Sequence, residues 1–344
     1  MKRRVPWHCL ILATAGLVST QAAGQSSKTA EATHAASLPA NIDAAIFRAQ
    51  VQLDRAGFGP GVIDGRKGRF FAAALKGYQA AQGLPQSGEL DGGTRAALDK
   101  DAAPALMTMV LKDDALTADF TPDIPPKIVD QAALPHLGYR DIVERLAERF
   151  HTTPQLLLAL NPALRAPQAG MELRLPSLIP ADRAYDVSLS PQWRDTLATL
   201  NIGARQPQAA KIVVDKSESL LKVYDSQDRL VAQFPATTGS AHDPLPIGKW
   251  SIDAIAFLPT YHYNPDLFWD AAESDGKAVL PPGPNNPVGV VWIDLNKPHY
   301  GIHGTPEPAR IGRSQSHGCV RLSNWDAARL AQMTSTATQV YFQE

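Results

Sequence analysis

Residues 301–324, GIHGTPEPARIGRSQSHGCVRLSN, constrain this chain more than any other stretch. His303 precedes Cys319 by 16 positions, with a glycine beside each, a spacing that suits two adjacent strands joined by a loop. An imidazole within hydrogen-bond reach of a thiol takes its proton and leaves the sulfur nucleophilic near neutral pH. Gly318 lets the backbone turn tightly and aim amide N–H groups at the oxygen of a tetrahedral intermediate. The group therefore points to acyl-transfer chemistry.

The N-terminus makes that cysteine more informative. Lys2, Arg3 and Arg4, an apolar run from Cys9 to Val18, and small residues up to Gly24 have the layout of a secretory signal peptide over residues 1–24. Its apolar run is too short for a comfortable membrane span, so no stable span is expected after cleavage. Export leaves Cys319 as the one remaining cysteine, unable to form an internal disulfide and hence either buried or used. With 33 basic and 34 acidic side chains, there is no electrostatic case for a nucleic-acid partner. A length of 344 residues favours two or three domains, and 28 prolines favour linkers between them.

Residues 25–40 are small and polar, and read as a flexible tether. From 41 to 100, helical periodicity over Ile46, Ala49, Gln50 and Leu53, a Val62-Ile63-Asp64-Gly65 turn, a second run from Phe70 to Ala81 and a short third helix through Thr94 to Leu98 predict a three-helix domain. Its order of motifs resembles the peptidoglycan-binding domain PG_binding_1. Asp64-Gly65 and Asp91-Gly92 are read as turn and capping devices. Residues 101–133 read as an extended linker. Over 134–178, LAERFHTTPQLLLALNP followed by AGMELRLP is similar to LysM, a β-α-α-β glycan-binding module, with Gly138-Tyr139-Arg140-Asp141 in place of the usual Gly-Asp-Thr opening. A second linker is expected over 179–207.

From 208 to 343, β-branched runs separated by polar turns predict successive antiparallel strands at Lys211–Asp215, Leu220–Tyr224 and Leu230–Phe234. Further strands are expected at Ser251–Phe257, Val288–Leu295 and Gly301–His303. The whole is predicted to be a multidomain α+β chain: a small three-helix domain, a LysM-like unit and a mainly β sandwich or barrel. His303-Gly304-Thr305 followed by Ser316-His317-Gly318-Cys319-Val320-Arg321-Leu322 resembles the signature of the YkuD-type L,D-transpeptidases, the ErfK/YbiS/YcfS/YnhG group. Pro244-Leu245-Pro246-Ile247-Gly248 is similar to another segment of that family, with Leu245 in place of the common threonine.

The resemblance implies a cysteine acyltransferase of peptidoglycan in the periplasm or cell envelope. Cys319 would be the nucleophile, His303 the proton carrier, and Gly304 the residue whose backbone carbonyl orients His303. Ser316, His317 and Gly318 would shape the pocket and oxyanion site, Arg321 would engage a substrate carboxylate, and Asn285 and Asn286 would line or brace the site. Neither metal nor cofactor is expected, since no CxxC or HExxH spacing supports a zinc site at His303, His317 and Cys319. Expected partners are peptidoglycan stem peptides and glycan, and a lipoprotein acceptor is a further option. The implied product is a 3-3 cross-link between stems. The same acyl-enzyme could instead act as an L,D-carboxypeptidase or attach a lipoprotein, and a non-enzymatic wall-binding protein is the alternative from another class.

Overall fold

The computed structural model describes residues 38–269, 271 and 276–344. The signal peptide expected at 1–24, and the tether expected at 25–40 except for its last three residues, lie outside the described residues.

Three helices open the described chain: α1 (Ala44–Arg55), α2 (Arg69–Ala81) and α3 (Gly92–Leu98). Asp43 caps α1 by accepting from the N–H groups of Ala45 and Ile46 at 2.9 and 3.0 Å, and Asp91 caps α3 through Thr94 N–H at 2.8 Å. Each satisfies donors that a helix start leaves without partners. The stripe Ile46, Ala49 and Leu53 packs on Phe71, Ala74, Leu75, Tyr78 and Leu98 to form the module's core. Asp64 accepts from Gln50 Nε2 at 3.0 Å and from Arg66 N–H at 2.9 Å, which braces the turn before α2.

The second module is larger than its helical pattern indicates. It runs through β1 (Leu106–Val110), the single turn α4 (Asp113–Leu116), α5 (Ile142–Arg149), α6 (Pro154–Leu160) and β2 (Glu172–Pro176). β1 pairs antiparallel with β2, Leu106 opposite Pro176, so the segment expected as linker from 101 supplies a strand of the βααβ unit. A long insertion then separates β1 from α5. Part of it, including Ile128 and Val129, packs beside Leu137, Tyr263 and Leu280. Asp141 caps α5 through Glu144 N–H at 2.8 Å, and Thr153 caps α6 through Leu156 N–H at 3.1 Å.

The linker expected over 179–207 also proves to be structured. Ser190 and Pro191 start α7 (Pro191–Thr199), whose Trp193 and Leu197, with Leu200 and Ile202 beyond its end, are buried in the core of the C-terminal domain. That domain continues with β3 (Lys211–Asp215), β4 (Leu220–Tyr224), β5 (Leu230–Pro235), β6 (Gly248–Phe257), β7 (Tyr261–Tyr263), β8 (Ala278–Leu280), β9 (Val291–Leu295), β10 (Gly301–His303), β11 (Val320–Arg321), α8 (Asn324–Met333) and β12 (Gln339–Gln343).

Eight of these strands form one sheet in the order β11-β10-β9-β6-β12-β3-β4-β5, while β7 and β8 make a separate hairpin. β10 with β11 and β12 with β3 are parallel pairs. Thr237, two residues beyond β5, exchanges two 2.9 Å backbone hydrogen bonds with Arg321 in β11. The two ends of the sheet therefore meet, and the curled sheet closes on itself.

The modules share backbone and buried charge. Gly59 N–H donates to the Gln233 carbonyl at 2.8 Å and Gln233 N–H to the Gly57 carbonyl at 3.0 Å, so the three-helix module covers the outer edge of β5. Beneath α8, Arg329 Nη2 lies 3.0 Å from Asp54 of α1, and the same carboxylate meets His151 Nδ1 at 3.0 Å. His151, which follows α5, bonds the Leu200 carbonyl through Nε2 at 2.8 Å and stacks on Trp325 at 4.8 Å. All three modules thus contribute to one buried ionic cluster.

Candidate active site

β10 and β11 place the motif residues by register. Ile302 pairs with Val320, both fully buried on the core side, and His303 pairs with Arg321. Side chains alternate along a strand, so Cys319, two residues before Arg321, falls on the same face as Arg321 and His303. All three line a cleft of about 630 Å³, with Tyr261, Trp292 and Tyr300 among its other walls.

His303 is buried, and its Nδ1 lies 2.7 Å from the Gly304 carbonyl. A carbonyl only accepts, so Nδ1 carries the proton and Nε2 is left as the basic nitrogen. The Trp292 ring stacks on the imidazole at 5.4 Å and 20°. Burial, with the Arg321 charge adding to it, pushes the His303 pKa down to about 3, against a small opposing effect of the Gly304 bond. His303 is therefore neutral at physiological pH.

Cys319 is half-buried, and its thiol donates to the His299 carbonyl at 3.5 Å. His299 itself sits in the left-handed region at φ 67°. Burial pushes the thiol above its ordinary range, while the Gly301 N–H and the Arg321 guanidinium pull the other way. At both groups burial favours the uncharged form. Desolvation of the sulfur thus works against the imidazole and the Arg321 charge, which favour a nucleophilic sulfur.

The turn before Cys319 is closely determined. Gly318 has φ 95°, and a Cβ added there would sit 2.5 Å from Tyr300 Cε1, so both backbone and space require glycine. The Ser316 hydroxyl donates to the Cys319 carbonyl at 2.6 Å and closes the turn. His317 lines the cleft with its ring edge-on to Phe268 at 4.8 Å. Arg321 projects into the cleft and donates to the Gln315 carbonyl at 3.4 Å, and burial pulls its pKa down.

Asn285 and Asn286, expected to line or brace the site, make bracing contacts. Asn285 Nδ2 donates to the Gly138 carbonyl at 2.8 Å and its Oδ1 accepts from Arg140 at 3.0 Å, so it ties the C-terminal domain to the βααβ module. Asn286 donates to the Pro281 carbonyl at 2.8 Å and accepts from Val288 N–H at 3.0 Å, bracing its own loop. Neither lines the cleft, although Pro287 and Val288, which follow them, do.

Sequence reasoning missed Trp292, Tyr261 and Tyr300. Trp292 had a readable signal: in β9, Val291, Ile293 and Leu295 are buried, so Trp292 and Asp294 face the other way, opposite His303 and Gly301. Tyr261 had none, since it reaches the cleft from the separate hairpin. Burial and the neighbouring Cys319 sulfur push its pKa up to about 12, so it is a neutral phenol. Among the described residues, no three His, Cys, Asp or Glu side chains converge as metal ligands. Among the same residues, no helix is long and apolar enough to cross a membrane.

Comparison with known proteins supplies the family context. The model of the L,D-transpeptidase catalytic domain, YkuD, matches residues 209–342, and that of the putative peptidoglycan binding domain, PG_binding_1, matches residues 43–98. The putative L,D-transpeptidase YkuD of Bacillus subtilis is 47% identical over 202 residues, covering 58% of this chain and 92% of that protein. A putative L,D-transpeptidase from the ATP synthase subunits region of Fuscovulum blasticum is 44% identical over 181 residues, covering 51% of this chain and 90% of its own. A solved L,D-transpeptidase from Mycobacterium smegmatis is 20% identical, covers 42% of this chain and 61% of its own, and aligns with a TM-score of 0.33.

Proposed function

The chain belongs to the YkuD family of L,D-transpeptidases, and on that premise we propose that Cys319 and His303 carry acyl transfer between peptidoglycan stem peptides through a thioester. The observation that carries this reading is the His303 Nδ1 bond to the Gly304 carbonyl at 2.7 Å, which leaves Nε2 as the base in a cleft shared with Cys319. The sulfur attacks a stem-peptide carbonyl as its proton passes to His303 Nε2, and the C–N bond then breaks as His303 returns that proton to the leaving amine. An acceptor amine attacks the thioester next. Its proton passes through His303 to the departing sulfur, which regenerates the thiol.

Because both partners start neutral, proton transfer accompanies attack and no stored ion pair is needed. The backbone N–H groups of the His317–Cys319 turn stabilise the oxyanion. Ser316 holds that turn, His317 shapes its wall, and Arg321 receives a donor-stem carboxylate. With a second stem peptide as acceptor the product is a 3-3 cross-link. Water as acceptor would make the reaction an L,D-carboxypeptidase, and a lipoprotein amine would make it an attachment reaction. The enzyme works in the cell envelope, in the periplasm once residues 1–24 have served as an export signal, and the PG_binding_1 module holds it on the wall.

The test is incubation of the purified protein with disaccharide-tetrapeptides, with products identified by mass beside Cys319→Ala. Dimers that vanish in the variant support transpeptidation, and tripeptides alone identify the carboxypeptidase. Equal inertness of both proteins would end the enzymatic reading in favour of a wall-binding protein.

A further inference from the structure

His303 depends on the Gly304 carbonyl, which raises the question of what fixes Gly304. Its N–H donates to the Val291 carbonyl at 3.3 Å, and the side chain of Asn324, the first residue of α8, lies against its Cα. A Cβ added to Gly304 or to Gly289 would overlap Asn324 Oδ1, so the amide packs directly on both backbones. The same oxygen accepts from Val290 N–H at 3.2 Å. Asn324 is fully buried, and its Nδ2 donates to the Pro284 carbonyl at 3.0 Å and to Glu148 Oε1 at 2.8 Å.

Glu148 belongs to α5, outside the catalytic domain, and is 7% exposed. It lines a cavity of about 300 Å³ between the modules. Tyr139 and Glu144 face it from its own module, Glu307 and Arg310 stand across the cavity, and α8 presents the Asn324 amide. A carboxyl group buried without a paired cation is costly, and hydrogen bonds such as that from Asn324 offset part of the cost.

We infer that Asn324 and Glu148 are positioning residues for His303: a carboxyl group from the βααβ module orients the Asn324 amide, which pins the Gly304 carbonyl that holds the imidazole. This rests on His303 being the proton carrier of the proposed reaction. The module thereby acts on the chemistry as well as on the architecture. Burial raises the Glu148 pKa to about 7, with the Tyr139 and Asn324 hydrogen bonds opposing it and Glu144 adding to it. Ionisation strengthens its hold on Asn324, since a charged acceptor makes the stronger bond.

Acylation of the full chain by a carbapenem, followed by intact mass over a range of concentrations and pH, tests the inference. The thiol adds to the β-lactam carbonyl, the ring C–N bond opens, and the thiol proton ends on the ring nitrogen by way of His303. Asn324→Ala should slow the saturated rate about tenfold with half-saturation little changed, the mark of a mispositioned group. Glu148→Ala should slow it about fivefold, and Glu148→Gln, which keeps an acceptor oxygen, should restore it at pH 6. The ratio of wild type to Glu148→Gln should rise to about threefold at pH 8. Wild-type and Asn324→Ala rates within twofold of each other would overturn the inference, and so would a Glu148→Gln ratio independent of pH. If Asn324→Ala fails to fold, the Glu148→Gln ratio decides. A wild-type protein that forms no adduct on Cys319 overturns the proposed function instead, so the two failures are distinguishable.

Discussion

Two regions of this molecule bury titratable groups and resolve the cost in opposite ways. Under α8, Asp54 is fully desolvated, yet His151 and Arg329 hold its pKa well below the ordinary carboxylate range, and its charge in turn raises that of Arg329. In the cleft burial wins at both groups: the Cys319 thiol goes up, with Asp294 adding to the effect and the Gly301 N–H and Arg321 opposing it, and the His303 imidazole goes down, with Arg321 adding to the effect. Compensated burial gives a charged cluster that joins three modules. Uncompensated burial favours the uncharged forms of two groups that, in the proposed reaction, exchange a proton.

The sharpest separation of the two regions comes from Cys319→Ala. Acyl transfer should fall at least about a thousandfold, with the melting temperature within a few degrees of wild type, as measured by product mass and calorimetry. Asp54→Ala should do the reverse. It strands Arg329 and His151 in the interior and should cost about 3–5 kcal/mol in denaturant unfolding, with the rate per folded molecule unchanged. Gly318→Ala crosses between the regions, since a side chain at φ 95° costs about 1–3 kcal/mol of backbone strain and also displaces Tyr300. Its acylation rate should drop about a hundredfold.

The smallest effect concerns pH. Burial raises the Asp326 pKa from 3.8 to about 6, so between these values the folded state binds a proton that the unfolded chain does not. Its contribution to stability is complete below pH 3.8 and is lost as pH rises through 6. Asp326→Asn should remove that step from the stability profile. His303 has the opposite sign: its folded pKa of about 3 lies below the unfolded 6.5, so its contribution is present above 6.5 and is lost as pH falls toward 3.

Local chemistry made much of this legible in the sequence. The Asp91 cap, the β-branched runs of β3 to β5, and the grouping of His303, Gly304, Cys319 and Arg321 all follow from short-range pattern. What escaped depended on partners distant in the chain. β1 looked like linker because its ladder partner β2 comes only after α5 and α6. α7 looked like linker because the burial of its Trp193 is decided by strands that come later. Asn285 is expected to line or brace the site, yet its side-chain contacts include Gly138 and Arg140 of another module. Tyr261 enters the cleft from a hairpin whose placement no periodicity encodes.

The central claim is that Cys319 and His303 rest as a neutral pair, and titration of thiolate ultraviolet absorbance tests it most directly, as wild type minus Cys319→Ala. The account predicts no thiolate at neutral pH and a single rise above the ordinary cysteine range. A thiolate already present at pH 6 and abolished by His303→Ala would contradict it.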